Sequence, residues 1–95
     1  MDQTSQVTGR PYAELKKDSY IIREFSDKTS AFELVWHRDR EDRVVEVIES
    51  NNWKFQFDND FPQLMEGKTF FIPKNTFHRV IKGTGTLKVK IYETQ

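Results

Sequence analysis

The chain has 95 residues, with fifteen basic and fifteen acidic side chains, two histidines and no cysteine. That length fits one domain, and the lack of cysteine excludes disulfides, thiolate zinc sites and a cysteine nucleophile. Balanced charge leaves no global field to draw in nucleic acid or an anionic membrane.

Residues 1–9 are polar and read as a loosely held tail, leaving 10–95 as a single domain. Met1 to Thr8 lacks the apolar run of a signal peptide, and no stretch approaches the ~20 apolar residues of a membrane span. The expected location is therefore cytoplasmic. Only 36% of residues are apolar, but 14% are aromatic, so a few large rings must build much of the core. Arg10-Pro11-Tyr12 leads into Tyr12–Lys17, which reads as a helical turn or a cover over the core. Ser19–Phe25 mixes β-branched and aromatic residues and reads as a strand. Ser26–Ser30 is a polar turn.

Phe32–Asp39 is the next expected strand, with Arg40-Glu41-Asp42 as a charged turn after it. Arg43–Glu49 follows, and Ser50-Asn51-Asn52 is a turn in which asparagine tolerates positive φ. Trp53–Asp58 alternates three rings with three polar groups, the pattern of a half-buried strand. Asn59–Pro62 breaks it. Lys68–Ile72, Phe77–Ile81 and Leu87–Tyr92 complete the set, with Lys82-Gly83-Thr84-Gly85 turning the chain before the last. Short strands joined by tight turns, without a helical period, predict an all-β sandwich or closed barrel.

Within this pattern, the stretch from Gly67 through Pro73 and Asn75 to His78 resembles the second motif of the cupins. That motif spaces a Gly, a Pro, a Gly and a His as these residues are spaced, with Asn75 in place of the second Gly. Asparagine is the usual substitute where the backbone needs positive φ. The family's later Asn is Lys82 here. The first cupin motif, two His, a Glu and a Gly, corresponds to His37, Asp39, Arg43 and Ser50: the spacing survives and most of the chemistry does not. The resemblance covers roughly Glu33 to Tyr92. It implies a small cupin-like double-stranded β-helix, the jelly-roll barrel of RmlC-like proteins.

Alternation on a strand places His37 and Asp39 on one face with Val35, and Arg43 on one face with Val45 and Val47. With His78 arriving from the second motif, the four polar residues can converge in the barrel mouth. Three readings follow. His37, Asp39 and His78 form a two-imidazole, one-carboxylate set for a divalent metal (Fe, Zn, Mn or Ni), against which stands Arg43, a cation where a ligating Glu belongs. Without a metal, Arg43 clamps an anion bidentately with the histidines beside it, or a His–Asp pair serves as general base on a sugar. In the third reading, an Arg43–Asp39 ion pair caps the core and the protein is a binding or assembly module.

Gln56 faces away from the rings of its strand; it is a candidate pocket residue or a solvated side chain. Trp36 lies on the face opposite His37 and fits core packing or a subunit contact. Val44 and Ile48 make the second face of their strand apolar, which predicts a homodimer, with Glu46 opposing it. No phosphate loop appears, and Ser26 and Ser30 lack the setting of a catalytic triad. The expected ligand is a small molecule or anion.

Overall fold

The computed structural model describes residues 12–30 and 34–93; the tail expected over residues 1–9 lies outside them. Every element among the described residues is a strand: β1 (Ala13–Lys16), β2 (Ile21–Phe25), β3 (Arg43–Glu49), β4 (Lys54–Phe57), β5 (Gln63–Leu64), β6 (Thr69–Ile72), β7 (His78–Ile81) and β8 (Leu87–Glu93). Among the described residues no helix is long and apolar enough to cross a membrane. A five-stranded antiparallel sheet, ordered β1-β2-β8-β3-β6, faces a three-stranded one, ordered β5-β4-β7. The result is the all-β architecture that the strand pattern predicted, in the jelly-roll form that the cupin resemblance implied.

Alternation builds the core. Ile21 and Phe25 on β2, Val45 and Val47 on β3, Phe70 and Ile72 on β6, and Leu87, Val89 and Ile91 on β8 are all buried. They meet Trp53 and Phe55 from the smaller sheet. Aromatic pairs tie the layers together, with Phe55 and Phe70 ring centroids 4.6 Å apart and Phe25 and Trp53 5.9 Å apart. Such pairs each add about 0.5–1.5 kcal/mol beyond the area they bury. The three rings of the 53–58 segment share the inner side as expected, Phe57 being only partly buried.

Two expectations fail. The segment Tyr12–Lys17 is neither a helical turn nor a cover: Ala13–Lys16 is a sheet strand, pairing Glu14 with Arg23 and Leu15 with Ile22. Ala, Glu, Leu and Lys all favour helices, but pairing with β2 supplies the backbone partners and overrides a propensity worth tenths of a kcal/mol per residue. The strand expected over Phe32–Asp39 is reduced to one bridge at His37, with residues 31–33 outside the description. On β3, a bulge between Val47 and Glu49 leaves Ile48 without a cross-strand partner and ends the strict alternation. The outer face of the larger sheet carries exposed Leu15 and Phe71 and half-buried Val44, with exposed Glu46 among them.

The turns follow local chemistry. Asn52 and Asn75 adopt φ of 62°, where Asn pays little of the steric penalty of branched residues. Gly83 answers a different need. A Cβ there would run into the backbone of Asn51, Asn52 and Trp53, so the β7–β8 connection lies directly on the turn before β4.

Candidate functional site

His37 and His78 are cross-strand partners. The His37 amide donates to the His78 carbonyl at 3.0 Å and the His78 amide to the His37 carbonyl at 2.9 Å. Directly opposed residues of an antiparallel pair project to the same face, and the two rings meet edge-on with centroids 4.3 Å apart. One bridge therefore achieves what a full strand over Phe32–Asp39 was expected to do. The Asn75 amide, in its positive-φ turn, donates to the Asp39 carbonyl at 2.7 Å and holds the third residue beside the pair. His78 is buried and stacks on Phe55 at 5.6 Å, whereas His37 stands at the exposed rim.

Both imidazoles are oriented in the same way. His37 Nδ1 lies 3.1 Å from the Val35 carbonyl and His78 Nδ1 lies 2.8 Å from the Thr76 carbonyl. A carbonyl only accepts, so each Nδ1 carries a hydrogen, and in the neutral ring each Nε2 presents a lone pair. One ligand atom from each of His37, Asp39 and His78 falls within 4.8 Å of the others. His78 Nε2 is 3.4 Å from Asp39 Oδ2, long for a hydrogen bond. Oδ2 is buried and has no hydrogen-bond partner among the described residues.

Arg43 reaches the other oxygen, its Nη1 lying 3.4 Å from Asp39 Oδ1. Its Nη2 contacts Glu93 at 2.9 Å and Glu41 at 3.9 Å, while its buried Nε has no partner. The cation that seemed to oppose a metal is thus surrounded by carboxylates, and it orients Asp39 by the oxygen turned away from the histidines. Burial disfavours ionisation of Asp39, but the contacts with His78, Arg43 and His37 outweigh it and hold the carboxyl below its ordinary range. Desolvation lowers the pKa of His37. The Val35 carbonyl opposes that effect, and repulsion from His78 reinforces it.

The cluster opens into a cavity of about 320 Å³ between the sheets, within the range of small-molecule sites. Val35, His37, Asp39, Arg43 and His78 line it together with apolar residues such as Phe55, Ile72 and Val89. Gln56 is outside this group: it accepts from Arg79 Nε at 2.9 Å and donates to the Asp60 carbonyl at 2.8 Å. Trp36 is also turned away, covered by the Arg79 guanidinium 4.7 Å from its ring centroid. Two lining residues with polar groups had not been singled out from sequence, Tyr12 and Arg23. Parity could have found the second, since Arg23 occupies the inward phase of Ile21 and Phe25.

No family model matches the sequence, and no curated protein matches it. Solved structures do. An RmlC-like cupin from Shewanella frigidimarina superposes with a TM-score of 0.65 at 18% identity, covering 88% of this chain and 75% of its own. A chain from crystal structures of DMSP lyases gives 0.66 at 18% identity, over 80% of this chain and 37% of that one. Fe(II) HppE gives 0.61 at 14% identity, over 87% and 48% respectively. At these identities the likeness establishes the fold, and the last two proteins are more than twice as long as the part they share with this chain.

Proposed function

For this chain of cupin fold, we propose that His37, Asp39 and His78 hold a divalent metal ion and that the adjoining cavity admits a small molecule to it. One observation carries the reading. With both Nδ1 hydrogens committed to carbonyls, the His78 Nε2 lone pair faces the unpartnered Asp39 Oδ2 at 3.4 Å. Two acceptors turned towards each other in a buried setting repel unless a metal cation lies between them or a proton on Nε2 joins them, and metal content separates the two cases.

The rest of the geometry supports the same assignment. Imidazoles that bind metals characteristically donate their second N–H to a carbonyl, and ligating carboxylates are themselves held by a partner, the part Arg43 plays towards Asp39. The donor set suits non-haem iron or zinc. Fe(II) HppE, which shares the fold, holds iron. A dication at this position supplies Lewis acidity to a ligand atom bound beside it. His37 at the rim and His78 in the wall leave the cavity side of the cluster for that ligand.

The test is elemental analysis of untagged protein, with His78→Ala and Asp39→Asn alongside. Stoichiometric metal that is lost in both variants is expected. Saturation at 100 times the dissociation constant should add about 2.7 kcal/mol to the stability of the wild type alone. Metal-free protein that gains no thermal stability from Fe, Mn, Ni or Zn would sink the proposal and leave the cluster as a polar plug built on the Arg43–Asp39 pair.

A further inference from the structure

We infer that the cavity takes a small organic acid, with its carboxylate bound by Arg23 and its apolar body against the barrel wall. This rests on the reading of the cavity as a ligand site, but it does not require the metal.

The sequence places Arg23 where a hydrophobic residue belongs. Its neighbours in the inward phase of β2, Ile21 and Phe25, are buried, and so is Val89, directly opposite on β8. A guanidinium in such a wall is costly to desolvate, and two contacts hold it there. Its Nε donates to Glu14 Oε2 at 2.8 Å, and its central carbon lies 4.3 Å from the centroid of the Tyr12 ring. The ion pair and the ring set the plane of the fork, leaving its conformation little to lose when a ligand binds.

The decisive feature is which charges face the cavity. Arg23, Arg43 and Asp39 line it, whereas Glu14, Glu41 and Glu93, the carboxylates that neutralise the two arginines, do not. Among the described residues, a ligand inside meets two guanidiniums and one carboxylate, with acidic partners set behind the wall. Arg43 is engaged through both terminal nitrogens, on Asp39 and Glu93, whereas the Arg23 contact with Glu14 runs through Nε, which makes Arg23 the group suited to a ligand anion. Most of the remaining lining is apolar, including Phe25, Leu34, Val45, Met65 and Ile91. An anionic head with a hydrocarbon body complements such a surface; a sugar does not.

Calorimetric titration of chelator-treated and metal-loaded protein with hexanoate and with hexanamide tests the inference. Hexanoate should bind at least about tenfold more tightly in both preparations, the worth of one charge-assisted hydrogen bond. Arg23→Gln should abolish the preference while leaving metal content unchanged. Arg23→Lys should keep part of it, and Glu14→Gln should tighten hexanoate alone. The inference is overturned if wild-type protein does not discriminate, if discrimination appears only with metal bound, or if folded Arg23→Gln retains it in full. Should that variant fail to fold, the Lys and Glu14 variants decide, and an unchanged preference in both overturns the assignment. Discrimination in a protein that binds no metal would sink the metal centre and leave this inference standing.

Discussion

The two ends of this barrel are built from opposite materials. At one end Trp53, Met65 and Leu87 are 0%, 1% and 0% exposed, and the Trp53 indole N–H is shared between the Thr84 and Gly85 carbonyls at 3.3 Å each. At the other, buried Asp39 Oδ2 and Arg43 Nε have no hydrogen-bond partner. The closed end has one lapse, Ser50 Oγ, a neutral hydroxyl that can rotate to suit its surroundings. β4 and β7 span the distance, pairing Lys54 with Ile81 at the closed end and Phe57 with His78 at the open one. The difference teaches where the molecule keeps its stability. Polar satisfaction and dry packing are concentrated away from the mouth, so the mouth can carry groups that are poorly satisfied without a ligand.

The sharpest way to break the comparison is Trp53→Ala. Removing a fully buried indole should cost about 3–5 kcal/mol. In a domain of this size each kcal/mol lowers Tm by roughly 4–8 °C. Thermal denaturation followed by circular dichroism reads the effect. A loss below about 1 kcal/mol would show that the closed end is not the seat of stability.

Arg43→Met should have a smaller effect, about 1–3 kcal/mol, because the guanidinium and Asp39 are each 12% exposed and solvent screens part of their attraction. The same substitution should raise the Asp39 pKa, since Arg43 is among the charges that hold it down. Denaturant titration at neutral and mildly acidic pH separates the two effects. A variant as stable as wild type with an unmoved Asp39 titration would remove Arg43 from its role as the carboxylate's support.

The smallest expected effect is the pH dependence of metal-free protein. The folded state resists protonation of His37, so between the unfolded imidazole value near 6.5 and the lower folded value the unfolded chain binds more protons. Stability should therefore decline as pH falls through that window. Asp39, also lowered in the folded state, contributes stability that is present above about pH 3.9 and lost as pH falls through its folded pKa. Unfolding curves from pH 8 to pH 3 that showed stability rising on acidification would contradict both assignments.

The outline of the site was legible because the second motif is local. Gly67, Pro73, Asn75 and His78 fall within twelve residues that run from the turn before β6 to the start of β7, and the positive φ at Asn75 is what the resemblance implied. The first motif was legible in part. His37 and Asp39 do share the cavity, but a single bridge and a loop place them there, held by hydrogen bonds to residues about 40 positions away along the chain. No local pattern announces such a bond. For the same reason β1 was missed, since its strand character comes from β2.

By itself the sequence determined the period of the strands, the inward rings of Trp53, Phe55 and Phe57, and the turns at Asn52 and Asn75. These depend on residue type and on spacing within a few positions, where steric and alternation rules act. Only the tertiary structure decided which charges face the cavity. Arg43 could be an anion clamp or a carboxylate's support. Its surroundings are set by Glu93, at the far end of β8, and by Glu41, neither of which any motif links to it. Arg23 could be a solvated strand residue or a wall of the cavity, and Glu14 and Tyr12 on a neighbouring segment settled it. Charge acts through space, and spatial neighbours are fixed only when the sheets close.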